Sequence, residues 1–155
     1  MKENKICSFF GHAEIEITCG LIKRLREKVL ELIEKGFSVF YFGGFGKFDD
    51  FCYEIVSDIK VEKPELNIQR VYCVPQEKLL SKINKYKRLW GEFEDYVFLT
   101  PTFYGWYKSI YFRNCAMIDA SDFIIFFVEE REDSGAYKAY KYAVKTKKQL
   151  INLFE

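Results

Sequence analysis

Gly43, Gly44 and Gly46 stand between the apolar run Phe40-Tyr41-Phe42 and an amphipathic stretch that opens with Lys47, Phe48, Asp49 and Asp50. Three glycines in four residues let the backbone approach a ligand with no Cβ in the way. A helix starting behind them offers unpaired N–H groups and a positive dipole end to an anion, most often a phosphate. Lys47 can add a point charge to that anion, or remain a solvated lysine. Asp49 falls in the first helical turn, where a carboxylate complements the dipole. The functional alternatives for it are a hydrogen bond to ribose hydroxyls or, together with Asp50, general-base work in glycosidic cleavage.

Other residues could serve the same chemistry. Arg113 lies among Tyr111, Phe112, Met117 and Ile118; in that company an arginine is a buried ion-pair partner or an anion ligand. Asn114 beside it could orient a loop or read a base edge. Gly11 and the single histidine, His12, close the first apolar run and so fall near a pocket mouth, where the histidine is a ligand contact or simply structural. Ser134 and Gly135 form a second short turn ahead of a helix, able to hold a phosphate or simply to cap the helix. Tyr104 and Trp106 are a lid over a base or the packing of a helix. The lysine-rich stretch 78–88 is followed at once by Glu92, Glu94 and Asp95 and reads as a solvated face.

The elements that must position these residues alternate. Apolar runs predict strands over 6–10, 37–42, 68–74, 96–99, 123–128 and 149–154. Helical periodicity predicts helices over 17–35, 48–59, 106–118 and 136–144, with Gly36 ending the first. Residues 76–94 carry the weakest pattern. Such alternation predicts one α/β domain over 1–155, a Rossmann-like, doubly wound, mainly parallel sheet with helices on both faces. In sheets of this kind ligands lie at the carboxyl ends of the strands, near the switch in strand order. The loops after the first, second and fifth strands are the ones just described.

Composition narrows the function classes. The chain has 155 residues, 24 basic and 23 acidic side chains and a formal net charge of +1. That balance argues against a broad nucleic-acid-binding surface and favours a small-molecule partner. Cys7, Cys19, Cys52, Cys73 and Cys115 include no C-x-x-C pair. Three of them, Cys7, Cys73 and Cys115, sit in apolar segments and read as buried thiols of a reducing cytoplasm. No metal site and no cofactor are expected. No apolar run approaches the roughly 20 residues a membrane span needs. The start of the chain has no signal-peptide pattern, so a cytoplasmic protein is expected.

Taken in order, the loops resemble the SLOG superfamily, which includes the LOG phosphoribohydrolases and the DprA/Smf proteins. Cys7-Ser8-Phe9-Phe10-Gly11-His12 is similar to its C-x-F-x-G-H-R opening, and Phe42 to Asp49 to its G-x-x-G-G-F-D loop. Arg113-Asn114-Cys115-Ala116-Met117 matches R-N-x-x-M. Asp122-Phe123-Ile124-Ile125 with Ser134-Gly135-Ala136, and Lys147 to Leu153, resemble the closing motifs. The resemblance implies a nucleotide or nucleotide-derived ligand, of NAD or ADP-ribose type, and a homodimer. LOG enzymes cleave nucleoside 5′-monophosphates and carry P-G-G-x-G-T-x-x-E after the penultimate strand. This chain reads Glu129-Glu130-Arg131-Glu132-Asp133-Ser134-Gly135-Ala136 there, without the glycine pair or the carboxylate. Ala13 stands in place of an arginine, and Lys47 in place of a glycine. The expectation is therefore a binding domain. An N-glycosidase using Arg113 with Asp49 or Asp50 is the alternative, and an interaction module without a ligand is the third reading.

Overall fold

The computed structural model of the chain describes residues 4–44, 46–75, 93–98, 106–131 and 134–154. Its elements are β1 (Lys5–Gly11), α1 (Cys19–Glu34), β2 (Phe37–Phe42), α2 (Lys47–Glu62), β3 (Gln69–Val74), β4 (Asp95–Phe98), α3 (Trp106–Ala120), β5 (Phe123–Phe127), α4 (Gly135–Lys145) and β6 (Leu150–Asn152). All six strands are parallel, in the order β4-β3-β2-β1-β5-β6. The chain winds outward from β1 to β4, then returns to the other side of β1 for β5 and β6. The switch in strand order therefore lies between β1 and β5, where the loops beyond their carboxyl ends part in opposite directions.

The strands are apolar on both faces because both faces are covered. Alternate residues supply two cores. Cys7, Phe9, Phe40, Phe42, Tyr72, Val74 and Ile125 pack with α1 and α2 through Leu21, Leu25, Val29, Phe48, Val56 and Ile59. Phe10, Tyr41, Val71, Cys73, Ile124 and Phe126 pack with α3 and α4 through Met117, Ile118, Ala139 and Ala143. Ala139 and Ala143, four apart on α4, let that helix come close to the sheet. Burying each large side chain is worth about 1.5–3 kcal/mol. One buried polar pair crosses the second core: Ser8 and Ser121 hydroxyls lie 2.6 Å apart, and Ser121 Oγ donates to the Met117 carbonyl.

Element boundaries differ from the periodicity where a cap decides. The first helix begins at Cys19 because the Thr18 side chain accepts from Leu21 N–H at 3.1 Å. The last strand shortens to three residues, since β5 offers it pairing only from Ile124 to Phe126. Cys7, Cys52 and Cys73 are fully buried, whereas Cys115 is half-buried on the outer side of α3. Tyr104 and the stretch 78–88 lie outside the described residues, as does the side chain of Trp106. No helix among the described residues is long and apolar enough to cross a membrane.

Candidate functional site

The glycine turn leaves β2 and enters α2 at the carboxyl edge of the sheet. Gly44 and Gly46 have φ of +72° and +98°, a region that costs other residues about 1–2 kcal/mol. Space is as restrictive as backbone angle. A Cβ on Gly44 would lie 2.0 Å from the Tyr72 ring, and one on Gly46 2.9 Å from the Ala13 backbone. The loop is held on two further sides. Lys47 N–H donates to the Ala13 carbonyl at 2.8 Å, tying the start of α2 to the turn after β1. The Asp49 carboxylate accepts from Gly44 N–H at 2.7 Å and from Gly43 N–H at 3.3 Å. The chain's own carboxylate thus occupies the two glycine donors. Burial raises the Asp49 carboxyl to about 7, against the hydrogen bonds from Gly44 and Gly43 and the positive field of Arg113. Asp50 is half-buried beside it, and Lys47 is exposed.

Arg113 reaches this loop from α3, on the opposite face of the sheet. Arg113 is 5 % exposed. Nη1 donates to the Gly43 carbonyl at 2.8 Å and to the Cys73 carbonyl at 3.2 Å, so one side chain fastens the carboxyl ends of β2 and β3. Nε and Nη2 both donate to Asn114 Oδ1, at 3.1 and 3.0 Å. An arginine has five N–H donors, and these contacts use four. The Asn114 amide is fixed by them: its oxygen faces the arginine, and its nitrogen points elsewhere. Among the described residues, one Nη2 N–H of Arg113 and both Nδ2 N–H groups of Asn114 have no acceptor, although Asn114 is 7 % exposed. Nor does any carboxylate of the described residues form an ion pair with Arg113. A buried guanidinium balanced by carbonyls is neither a simple ion-pair partner nor a solvated cation.

His12 organises the switch point. Its Nε2 accepts from Glu129 N–H at 3.0 Å, and its Nδ1 lies 3.2 Å from Ser134 Oγ. A backbone N–H can only donate, so the proton of the neutral ring sits on Nδ1 and is given to Ser134. Ser134 Oγ in turn accepts from Tyr137 N–H at 3.2 Å and caps α4. Burial, with the charge of Arg131, lowers the His12 pKa and keeps the ring neutral. This tautomer cannot take a proton from Ser134, so the pair is a frame and not a nucleophile–base couple. Gly11 is required next to it because Phe48 fills the place of its Cβ at 2.4 Å. Beside His12 a cleft of about 330 Å³ opens over the start of α1, lined by Thr18, Leu21, Arg24, Phe127 and Arg131 among others. Gly135 faces open space.

No family model and no curated protein matches the chain. Among solved structures it is similar to the DNA processing protein A (DprA) of Streptococcus pneumoniae, with a TM-score of 0.62 at 12 % identity over 96 % of this chain. The likeness is one of fold, a Rossmann-like α/β domain built on a parallel sheet. The chain spans 49 % of that protein, about half its length.

Within this Rossmann-like frame the sequence-predicted residues fall into two touching groups. Gly43, Gly44, Gly46, Asp49, Arg113 and Asn114 gather at the ends of β2 and β3; Gly11, His12, Ser134 and Gly135 gather at the ends of β1 and β5. The bond from Lys47 to Ala13 joins them. Sequence reasoning missed Tyr72, whose ring walls the glycine turn, and Cys73, whose carbonyl receives Arg113. The available signal was a strand that ends at Pro75, which sets Cys73 near a carboxyl end of the sheet. Among the described residues no group of acidic, histidine and cysteine side chains is arranged to hold a metal.

Proposed function

We propose that this SLOG-type domain binds a nucleotide or nucleotide-derived ligand, of the ADP-ribose class, at the carboxyl edge of the sheet. The observation that carries the reading is the buried Arg113–Asn114 pair, in which one Arg113 N–H beside the glycine turn and both amide N–H groups of Asn114 lack an acceptor among the described residues. Buried donors without partners are costly, and a ligand oxyanion or base carbonyl supplies what they lack. In this reading Arg113 holds a phosphate oxygen and Asn114 an acceptor on the phosphate or base. Asp49, with lone pairs beyond those given to the loop, receives ribose hydroxyls. Gly43, Gly44 and Gly46 allow close approach, Lys47 adds charge, and Ser134 and Gly135 stand at the second turn. His12 and Gly11 keep the two turns in register. A homodimer and a cytoplasmic setting belong to the same proposal, as does the small-molecule rather than nucleic-acid partner.

One observation favours N-glycosidase chemistry as a second reading: a carboxyl raised to about 7 suits proton transfer near neutrality. Against it, α4 carries no acidic residue in its first turn, where charge developing on the ribose would need one. A thermal-shift panel of AMP, ADP-ribose, NAD and cyclic ADP-ribose tests both. Binding to the folded state alone stabilises by RT ln(1 + [L]/Kd), about 2.7 kcal/mol at a hundredfold excess over Kd. Arg113→Ala is expected to weaken the bound member by roughly thirtyfold or more, as loss of a desolvated charge contact does. Arg113→Lys should restore part, because an ammonium keeps the charge but not the fork. No shift at millimolar concentration overturns the proposal. Release of base from AMP at about 1 s⁻¹ or faster promotes the glycosidase.

A further inference from the structure

The amino ends of β2, β1 and β5 form a second concavity, at the edge of the sheet opposite the site above. It encloses about 470 Å³ and is lined by Lys5, Lys28, Lys35, Lys147 and Lys148, over Phe37 and Phe123. That volume is in the range of small-ligand sites. Asp122 is the acidic lining residue, and it is engaged by the Ile6 N–H at 2.9 Å. Glu31, nearby, is shared by Lys28 and Lys35 at 3.4 and 2.9 Å. Five lysines against two engaged carboxylates is a larger positive excess than the +1 of the whole chain, so the remainder of the molecule is net negative. The charge is polarised onto this groove.

Part of that charge has a structural reason. α1, α3 and α4 all end here, and cations suit helix C-termini. Lys148 meets this need directly, donating to the Asp119 and Ser121 carbonyls at 2.9 and 3.2 Å. The Lys28 ammonium lies 4.8 Å above the Phe123 ring, and Lys5 lies 5.6 Å above Phe37. The aromatic floor thus aligns ammonium groups along the groove and is itself covered by them. Lys5 and Lys147 make no hydrogen bond or ion pair through their ammoniums among the described residues. Lys147 closes α4 with its backbone at φ +59°, in a cap where its N–H donates to the Val144 carbonyl and Lys148 N–H to the Ala143 carbonyl, both at 3.1 Å; the turn sets its ammonium on the rim of the groove.

We propose that this groove is a second ligand site that takes an oligophosphate anion. Lysines without an arginine favour this class. Ammoniums act as point charges on phosphate oxygens spaced along a flexible chain, whereas a planar carboxylate is better met by a guanidinium fork. Phe37 is buried and the Lys28 ammonium covers the half-buried Phe123, which disfavours stacking of a base and so a single-stranded nucleic acid.

The probe is inorganic tripolyphosphate, titrated calorimetrically into the full chain at low and moderate salt. Binding is expected, weakened by salt, and weakened at least tenfold in the Lys5→Gln/Lys147→Asn double variant, with melting temperature recorded on the same samples. Asparagine tolerates the left-handed backbone, so the fold is retained. If Asn114→Leu or Lys47→Gln, at the opposite edge, weakens binding as much, the anion occupies the carboxyl-edge site and the proposal fails. It fails equally if the double variant loses only stability, which would mean that the lysines merely neutralise helix ends. A poly-glutamate peptide or a dT oligonucleotide binding more tightly than tripolyphosphate would make the groove a protein or nucleic-acid surface and overturn it. Because the variants lie at opposite edges, failure here leaves the nucleotide reading standing.

Discussion

Asp49 has two roles that pull against each other. Its carboxylate closes the glycine turn by accepting two backbone N–H groups, yet burial raises its pKa from 3.8 to about 7. Between those values the folded chain holds a proton that the unfolded chain has released. Stability from this group is therefore full below about pH 4 and is lost as pH rises through about 7. Asp49→Asn removes that titration, at the cost of setting an amide N–H against one of the glycine donors. The expected outcome is a melting temperature for the variant that lies below wild type at pH 4 and closes on it by pH 7.5. Melting curves across that range check it, and a constant difference would show that Asp49 ionises as an ordinary carboxyl. Wild-type ligand affinity should follow the same titration if the carboxylate accepts ribose hydroxyls.

At the scale of elements, the turn between β2 and α2 is defined by what surrounds it more than by its glycines as such. Gly36, Gly44 and Gly135 separate the contributions. Gly135 has ordinary φ and open space, Gly36 has φ +98° and open space, and Gly44 has φ +72° and the Tyr72 ring in its way. Alanine at the first should be close to neutral. At Gly36 it should cost about 1–2 kcal/mol, the left-handed penalty alone. At Gly44 that penalty joins the overpacking cost of displacing a buried ring, about 1–3 kcal/mol, for a sum near 3 kcal/mol. Urea denaturation of the three variants checks the order. Equal losses at Gly36 and Gly44 would mean that Tyr72 moves freely and is no wall of the site.

For the whole molecule, the alternation of strands and helices was legible because the strands centre on short, largely apolar runs such as Phe123 to Phe127, and α1, α2 and α4 carry a period near 3.6. The two-sided core follows from the same runs, since Phe40 and Tyr41, adjacent in sequence, enter opposite cores. What sequence could not give was adjacency. That Arg113 would bridge the ends of β2 and β3, or that His12 would meet Ser134 across 122 positions, depends on strand order, which no local pattern encodes. The same two-sided arrangement can be tested through the thiols. Cys7 and Cys52 are buried in the core under α1 and α2, and Cys73 in the core under α3 and α4, while Cys19 is exposed. Burial also pushes all three buried thiols far up, leaving little thiolate to react. Because every central strand contributes to both cores, neither can open while the other stays packed. Under native conditions a thiol reagent should therefore modify Cys19 quickly. Cys7, Cys52 and Cys73 should then react together, at one rate set by global unfolding. Mass spectrometry of the labelled peptides measures each site. Reaction of Cys73 well ahead of Cys7 and Cys52 would mean that the α3–α4 layer detaches on its own, carrying Arg113 away from the glycine turn without unfolding the rest.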